Sequence, residues 1–303
     1  MILRVLILAA AGFFTGPATA GSGDVEHGRS IFTVAGCSSC HTTKADKKNA
    51  VYLAGGRAFK TDFGTFFSPN ITPDPTYGIG AWNEEDLTRA LRQGISPDGE
   101  HYYPIFPYTS YTRMRDEDIR DLWAYLKSLP PVARANRPHD VSVLFSWRLS
   151  LVPWKLLNFT PGPLVPEPSK GAAWNRGAYI VEALAHCGEC HTPRDKLGGA
   201  IDAMHMAGTS AGPDGDAVPN ITAHKTTGIG RWTDNDLKSL FSLGMLPDGD
   251  FVGGGMGDVI DNLSKLSDAD RQAMISYLKS LPAIENRVLA KPKGGPPAKD
   301  EWQ

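Results

Sequence analysis

Cys37-Ser38-Ser39-Cys40-His41 and Cys187-Gly188-Glu189-Cys190-His191 decide how this chain is read. Together they hold all four cysteines of the 303 residues, and Cys37 and Cys187 stand 150 positions apart. The same offset relates Asn70-Ile71-Thr72 to Asn220-Ile221-Thr222, and Gly78-Ile79-Gly80-Ala81-Trp82 to Gly228-Ile229-Gly230-Arg231-Trp232. It also pairs Asp86-Leu87 with Asp236-Leu237, Gly94 with Gly244, and Pro97-Asp98-Gly99 with Pro247-Asp248-Gly249. Near the end the offset is 152, where Tyr125–Pro130 matches Tyr277–Pro282. Two copies of one domain account for this pattern, and the length suits two domains.

Each copy reads as helices joined by Gly/Pro-rich loops. The closing helix of the first begins at the acids Asp116-Glu117-Asp118, which suit the positive end of a helix dipole. Its apolar residues Ile119, Leu122, Trp123 and Leu126 follow the helical period, and Pro130-Pro131 stops it. The second closing helix starts at Ser267-Asp268, carries Met274, Tyr277, Leu278 and Leu281 on one face, and ends at Pro282. Opening helices precede the cysteines, over 24–34 and 174–185. No alternating strand pattern stands out, so the expected fold class is all-α, as two tandem domains at 21–134 and 170–287.

The motif spacing has a chemical reason. Two thiols three positions apart each form a thioether with one vinyl group of a porphyrin, and the next histidine lies beneath the iron. The expected cofactors are therefore two covalently bound haem c groups, on Cys37, Cys40 and His41, and on Cys187, Cys190 and His191. A thioredoxin-like CxxC would want βαβ surroundings. A zinc site would need a fourth ligand for each motif, or pooling across 150 residues.

With these residues in view, both halves resemble class I cytochromes c, over nearly all of residues 22–285. Gly23-Asp24-Val25-Glu26-His27-Gly28-Arg29-Ser30-Ile31-Phe32 is very like the family's opening helix, which implies Gly28 and Phe32 packing on Leu122 and Tyr125. The chain is also similar to the cytochrome subunits of periplasmic alcohol, aldose and gluconate dehydrogenases, through Tyr103-Pro104-x-x-Pro107-Tyr108. Those subunits commonly carry three haems, and this chain has motifs for two. Leu53 with Gly55-Gly56, and Pro193 with Leu197-Gly198, resemble the loop that orients the family's proximal histidine.

The resemblance implies a distal methionine thioether on each iron. In the second copy the candidate is Met256, in Gly253-Gly254-Gly255-Met256-Gly257; the bland alternative is a core methionine. Met204, Met206, Met245 and Met274 are less well placed. In the first copy Phe106 stands at the position of Met256, and the nearest sulfur is Met114, which aligns with Leu266 at a place where a hydrophobic staple often packs. Two readings follow: Met114 reaches the iron, or the first haem is open or bound by another residue such as His101. Trp82 and Trp232 either donate to haem propionates or wall the pocket, and Asn70 and Asn220 either reach propionates or cap local turns. His27, His139, His186, His205 and His224 read as surface or satisfied histidines.

Residues 1–20 read as a secretory signal: Arg4, the apolar run Val5–Phe14, and Ala18-Thr19-Ala20 before Gly21, with cleavage after about Ala20. The alternative is a retained anchor, although the run falls short of the ~20 residues a span needs. Residues 135–169, with Phe145, Trp147, Trp154 and Phe159, read as an aromatic, Pro-rich linker wrapping both domains, or as a docking face for a partner or membrane surface. The tail 288–303 reads as disordered. A net charge of −2 offers no basic surface for nucleic acid.

These readings imply a periplasmic electron carrier. It would accept single electrons from a periplasmic dehydrogenase or a quinol-oxidising complex and pass them to another cytochrome or a terminal oxidase, with possible peripheral membrane association. No catalytic residues are expected. The alternative is a dihaem enzyme, a peroxidase or sulfur-compound dehydrogenase, using an open first haem.

Overall fold

The computed structural model describes residues 23–48, 52–212 and 215–289. The expected signal segment and most of the expected tail lie outside these described residues. In the first repeat, α1 (Val25–Val34) is capped by the Asp24 carboxylate, which accepts from the N–H groups of Glu26 and His27. It crosses the closing helix α6 (Asp116–Ser128). Gly28 sits at that crossing: a Cβ there would lie 1.9 Å from the Asp121 carbonyl oxygen. Phe32 packs on Tyr125 with ring centroids 5.1 Å apart, and Leu122 is buried in the same core. Between these helices come α2 (Cys37–His41), α3 (Lys44–Lys48), α4 (Glu84–Gln93) and α5 (Tyr108–Tyr111).

The second repeat follows the same plan. Its α9 (Ala172–Tyr179) continues into one π-helical stretch, Ile180–Leu184, and crosses α13 (Asp268–Leu278). Gly177 lies at this crossing, where a Cβ would come 2.0 Å from the Ala273 carbonyl oxygen. Between them lie α10 (Gly188–His191), α11 (Asp234–Leu243) and α12 (Gly254–Leu263). The repeated Asp86 and Asp236 prove to be helix-boundary residues. Each closes a capping box, with Asn83 for α4 and with Thr233 for α11.

The fold is mostly helical but not strand-free, which corrects the expectation of an all-α chain. β1 (Ala58–Thr61) and β2 (Gly64–Phe67) form an antiparallel hairpin, with Phe59 opposite Phe66. β3 (Asp140–Val141), from the inter-repeat segment, pairs with the other edge of β2. Strands of four residues are too short to display a period, and Phe66 and Phe67 are buried as adjacent residues rather than alternating.

The segment between the repeats is itself structured, with α7 (Val143–Ser146) and α8 (Leu151–Asn158). Trp154 donates its indole N–H to the Leu197 carbonyl at 2.9 Å, and Phe159 stacks edge-on against Tyr108. The buried Lys155 ammonium donates to the carbonyls of Gln93 (2.6 Å) and Gly94 (2.9 Å), and burial pulls its pKa down to about 8. One face of the linker thus joins both repeats. The other leaves Val143 (88% exposed), Trp147 (65%) and Leu156 (82%) in solvent. No helix among the described residues is long and apolar enough to cross a membrane.

Candidate functional site

The two cysteine motifs are built alike. In each, a one-turn helix carries the second cysteine and the histidine, with Cys37 opening α2 and Cys187 capping α10, and the histidine ring is held from behind. His41 Nδ1 lies 2.7 Å from the Pro69 carbonyl oxygen, and His191 Nδ1 lies 2.8 Å from that of Pro219. A carbonyl only accepts, so the ring proton sits on Nδ1 and Nε2 keeps its lone pair for a metal. Among the described residues neither Nε2 makes a hydrogen bond. Burial also lowers the pKa of both rings, against the carbonyl contact, which favours the neutral imidazole an iron would need.

The proline carbonyl is placed by a second loop. The Gly55 N–H donates to the His41 carbonyl at 2.9 Å, and the Gly208 N–H to that of His191 at 2.6 Å. Both glycines have φ above +70°, and a Cβ on either would strike Pro69 or Pro219 at 2.5–2.6 Å. Two residues before each glycine, Leu53 (φ 63°) and Met206 (φ 60°) hold left-handed backbone without being glycine. Strain of this kind costs about 1–3 kcal/mol and persists only where neighbours enforce it. Here Thr42 and Thr192 enforce it: their hydroxyls accept from the Leu53 and Met206 N–H groups, each at 3.1 Å.

The sequence placed Leu53, Gly55 and Gly56 in this loop correctly, but its counterpart is Met206-Ala207-Gly208 rather than Pro193, Leu197 and Gly198. The latter group forms a separate turn, bridged between Arg194 and Ala200, on which Trp154 docks. The repeat offset slips there because the second copy has more residues before this loop and fewer after it. Pro69 and Pro219 went unnoticed, although each directly precedes a repeated Asn-Ile-Thr.

None of the four cysteines forms a disulfide. Burial raises all four, pushing Cys37 and Cys187 up to about 12 and Cys190 to about 11. Such a site disfavours the thiolates that zinc requires and suits sulfur that stays uncharged, as a thioether does. The residues present therefore fit a covalently held haem.

The candidate distal ligands occupy different settings. Met256 lies in the first turn of α12, partly buried against the core. Met114 is fully buried, one residue before the N-cap of α6, and shares the core with Ile119 at the fourth helical position, the geometry of a hydrophobic staple. Its carbonyl accepts from Arg92 at 2.8 Å. Phe106 packs among Tyr102, Tyr108 and Tyr111. His101 is engaged elsewhere: its Nδ1 lies 2.9 Å from the Lys155 ammonium.

Trp82 and Trp232 pack, half-buried, against the core. Asn70 and Asn220 tie their loops to the chain beyond the closing helices, donating to the Val132 and Ile284 carbonyls, each at 2.8 Å. The remaining histidines have protein partners: His27 with Asp121, His139 with Phe67, His186 with Ala35, His205 with Glu182 and His224 with Thr227.

The family profile described as cytochrome c matches residues 25–130 and again 175–282. The chain belongs to the cytochrome c family. This cytochrome is 46% identical over 271 residues to a protein of Cereibacter sphaeroides named diheme cytochrome c-type, covering 87% of this chain and 88% of that one. It is 38% identical to the fructose dehydrogenase cytochrome subunit of Gluconobacter japonicus, over 88% of this chain and 54% of the relative. It is 36% identical to the cytochrome c subunit of the quinone alcohol dehydrogenase of Gluconobacter oxydans, over 89% and 57%. The cytochrome thus spans little more than half of these two dehydrogenase subunits. Its cofactors are two covalently bound haem c groups.

Proposed function

We propose that this cytochrome is a periplasmic one-electron carrier, taking electrons from a dehydrogenase and passing them to a downstream cytochrome or terminal oxidase. In this reading Cys37 and Cys40 hold the first haem with His41 as proximal ligand, and Cys187, Cys190 and His191 serve the second. Met256 supplies the distal sulfur in the second domain. Met114 does so in the first, where it is the only methionine. The domains are 21–134 and 170–287, joined by the linker 135–169, and the chain reaches the periplasm through removal of residues 1–20.

The haem supplies the one-electron iron couple itself. The protein's work is to fix the ring and exclude water. The Pro69 and Pro219 carbonyls orient the histidines, and the strained loops behind them keep those carbonyls in place. Buried Tyr111 closes the core beside the first motif, donating its hydroxyl to the Ala35 carbonyl at 2.9 Å. The observation that carries the reading is this twofold construction, in which Nε2 of each motif histidine has no hydrogen-bond partner among the described residues. A dehydrogenase donor is supported by the relatives' names, and a docked working state by the exposed apolar face of the linker.

The test is a haem count on exported protein, followed by titration with carbon monoxide. Two haems per chain, both inert to carbon monoxide at low concentration, are expected of a carrier. A first haem that binds it readily, with turnover of peroxide or a sulfur compound, would favour the enzyme that Phe106 suggests.

A further inference from the structure

The two motifs do not face solvent alone. Each rests on the other domain just before its closing helix, with approximate twofold symmetry. Asn262 Nδ2, at the end of α12, lies 3.5 Å from Ser39 Oγ in the first motif. Across the pseudo-axis, Thr109 and Ser110 of α5 meet the second motif at Glu189, donating their hydroxyls to Glu189 Oε1 at 2.6 and 2.8 Å. Position 39 of the first motif is a neutral serine. Position 189, its repeat equivalent, is an acid whose side chain is only 15% exposed.

Both motifs carry an arginine on the carbonyl of this position, and only the second carries an acid there. Arg57 donates its guanidinium to the Ser39 carbonyl, inside the first motif. Arg194 donates likewise to the Glu189 carbonyl at 3.3 Å and pairs with its carboxylate, but Arg194 is one-third exposed, where water screens it, while Glu189 turns inward.

We propose that Glu189 is a positioning residue that fastens the second haem-attachment loop to α5 of the first domain and, as an inward-facing anion, lowers the reduction potential of the second haem. This rests on the motifs carrying the haems as proposed above. A fixed negative charge stabilises the ferric over the ferrous iron, and a low-dielectric setting strengthens its reach. The resulting bias sends an electron from the second domain towards the first.

The experiment compares wild type with Glu189→Gln, both as intact protein shown by haem count to hold two haems. Potentiometric titration is expected to raise one of the two midpoints by about tenfold in equilibrium constant, ~59 mV for a one-electron couple, with the other moving much less. Hydrogen exchange is expected to speed at Tyr108–Thr112. Two unchanged midpoints, or a downward shift, would overturn the proposal while leaving the haem assignment intact; wild type lacking a second haem would overturn the assignment instead. If Glu189→Gln does not mature, Thr109→Val with Ser110→Ala keeps the charge and removes the latch. Faster exchange in the Glu189 loop with no upward shift in midpoint then supports the proposal, and unaltered exchange refutes it.

Discussion

Replacing Gly28 by alanine tests whether the helix crossing is as close as described. In an exposed helix, Gly→Ala stabilises by about 1 kcal/mol through backbone entropy. Here the new methyl would lie 1.9 Å from the Asp121 carbonyl oxygen and 2.9 Å from Tyr125 Cβ. Ordinary carbon–oxygen contact needs well over 3 Å, so α1 and α6 must separate by more than 1 Å along much of the interface. Overpacking typically costs about 1–3 kcal/mol. A clash with backbone, which has no rotamer to yield, belongs at or above the top of that range. The net expectation is a loss of about 2 kcal/mol, lowering the melting temperature by roughly 5–10 °C. Thermal unfolding of the haem-loaded protein, followed by far-ultraviolet circular dichroism, reads it directly. Gly177→Ala, with its methyl 2.0 Å from the Ala273 carbonyl oxygen, should behave alike. A variant as stable as wild type, or more stable, would refute the close crossing.

Gly55→Val forces a side chain into left-handed backbone and against Pro69, so the Pro69 carbonyl should lose its hold on His41; we expect a perturbed first haem in the ferric absorption spectrum, with the second unchanged. Met256→Ala and Met114→Ala should each remove about half of the weak far-red ferric band that sulfur ligation gives, measured on two-haem protein. Tyr179 donates its hydroxyl to Asp118 across the domain interface and accepts from the Arg115 N–H at 3.0 Å. Tyr179→Phe removes a hydrogen bond to a buried carboxylate and should cost about 1.5–3 kcal/mol in urea unfolding. Asp46 is held below its ordinary pKa chiefly by hydrogen bonds from Arg134, against the effect of burial. Its folded-state pKa lies below the unfolded value, so its contribution is present above about pH 4 and disappears as the pH falls through the lowered folded value. Asp46→Asn should destabilise the protein most at pH 7 and progressively less as the pH falls below about 4, as urea midpoints across that range would show.

Much of this was legible because repeats and motifs write their constraints locally. The helix crossings were implied by Gly28, Phe32, Leu122 and Tyr125, and the repeated Asp86 and Gly94 mark both ends of α4. What escaped depended on pairing between distant segments. The β1–β2 hairpin is stabilised by a third strand more than 70 residues on, at Asp140–Val141, and four-residue strands carry no period of their own. The Pro69 carbonyl acts through its backbone, which residue type does not advertise. His101 looked available as a ligand only because nothing in the sequence places Lys155 beside it.

The mutual seating of the two motifs also bears on how the molecule must be made. His186 of one half reaches the Ala35 carbonyl of the other, and Asn262 and Ser110 cover the opposite loops. Bonding two cysteine sulfurs to one porphyrin needs both within reach, so closure of the halves over these loops belongs after cofactor attachment. The tether of residues 135–169 then ensures that the partner half is already at hand when that step arrives.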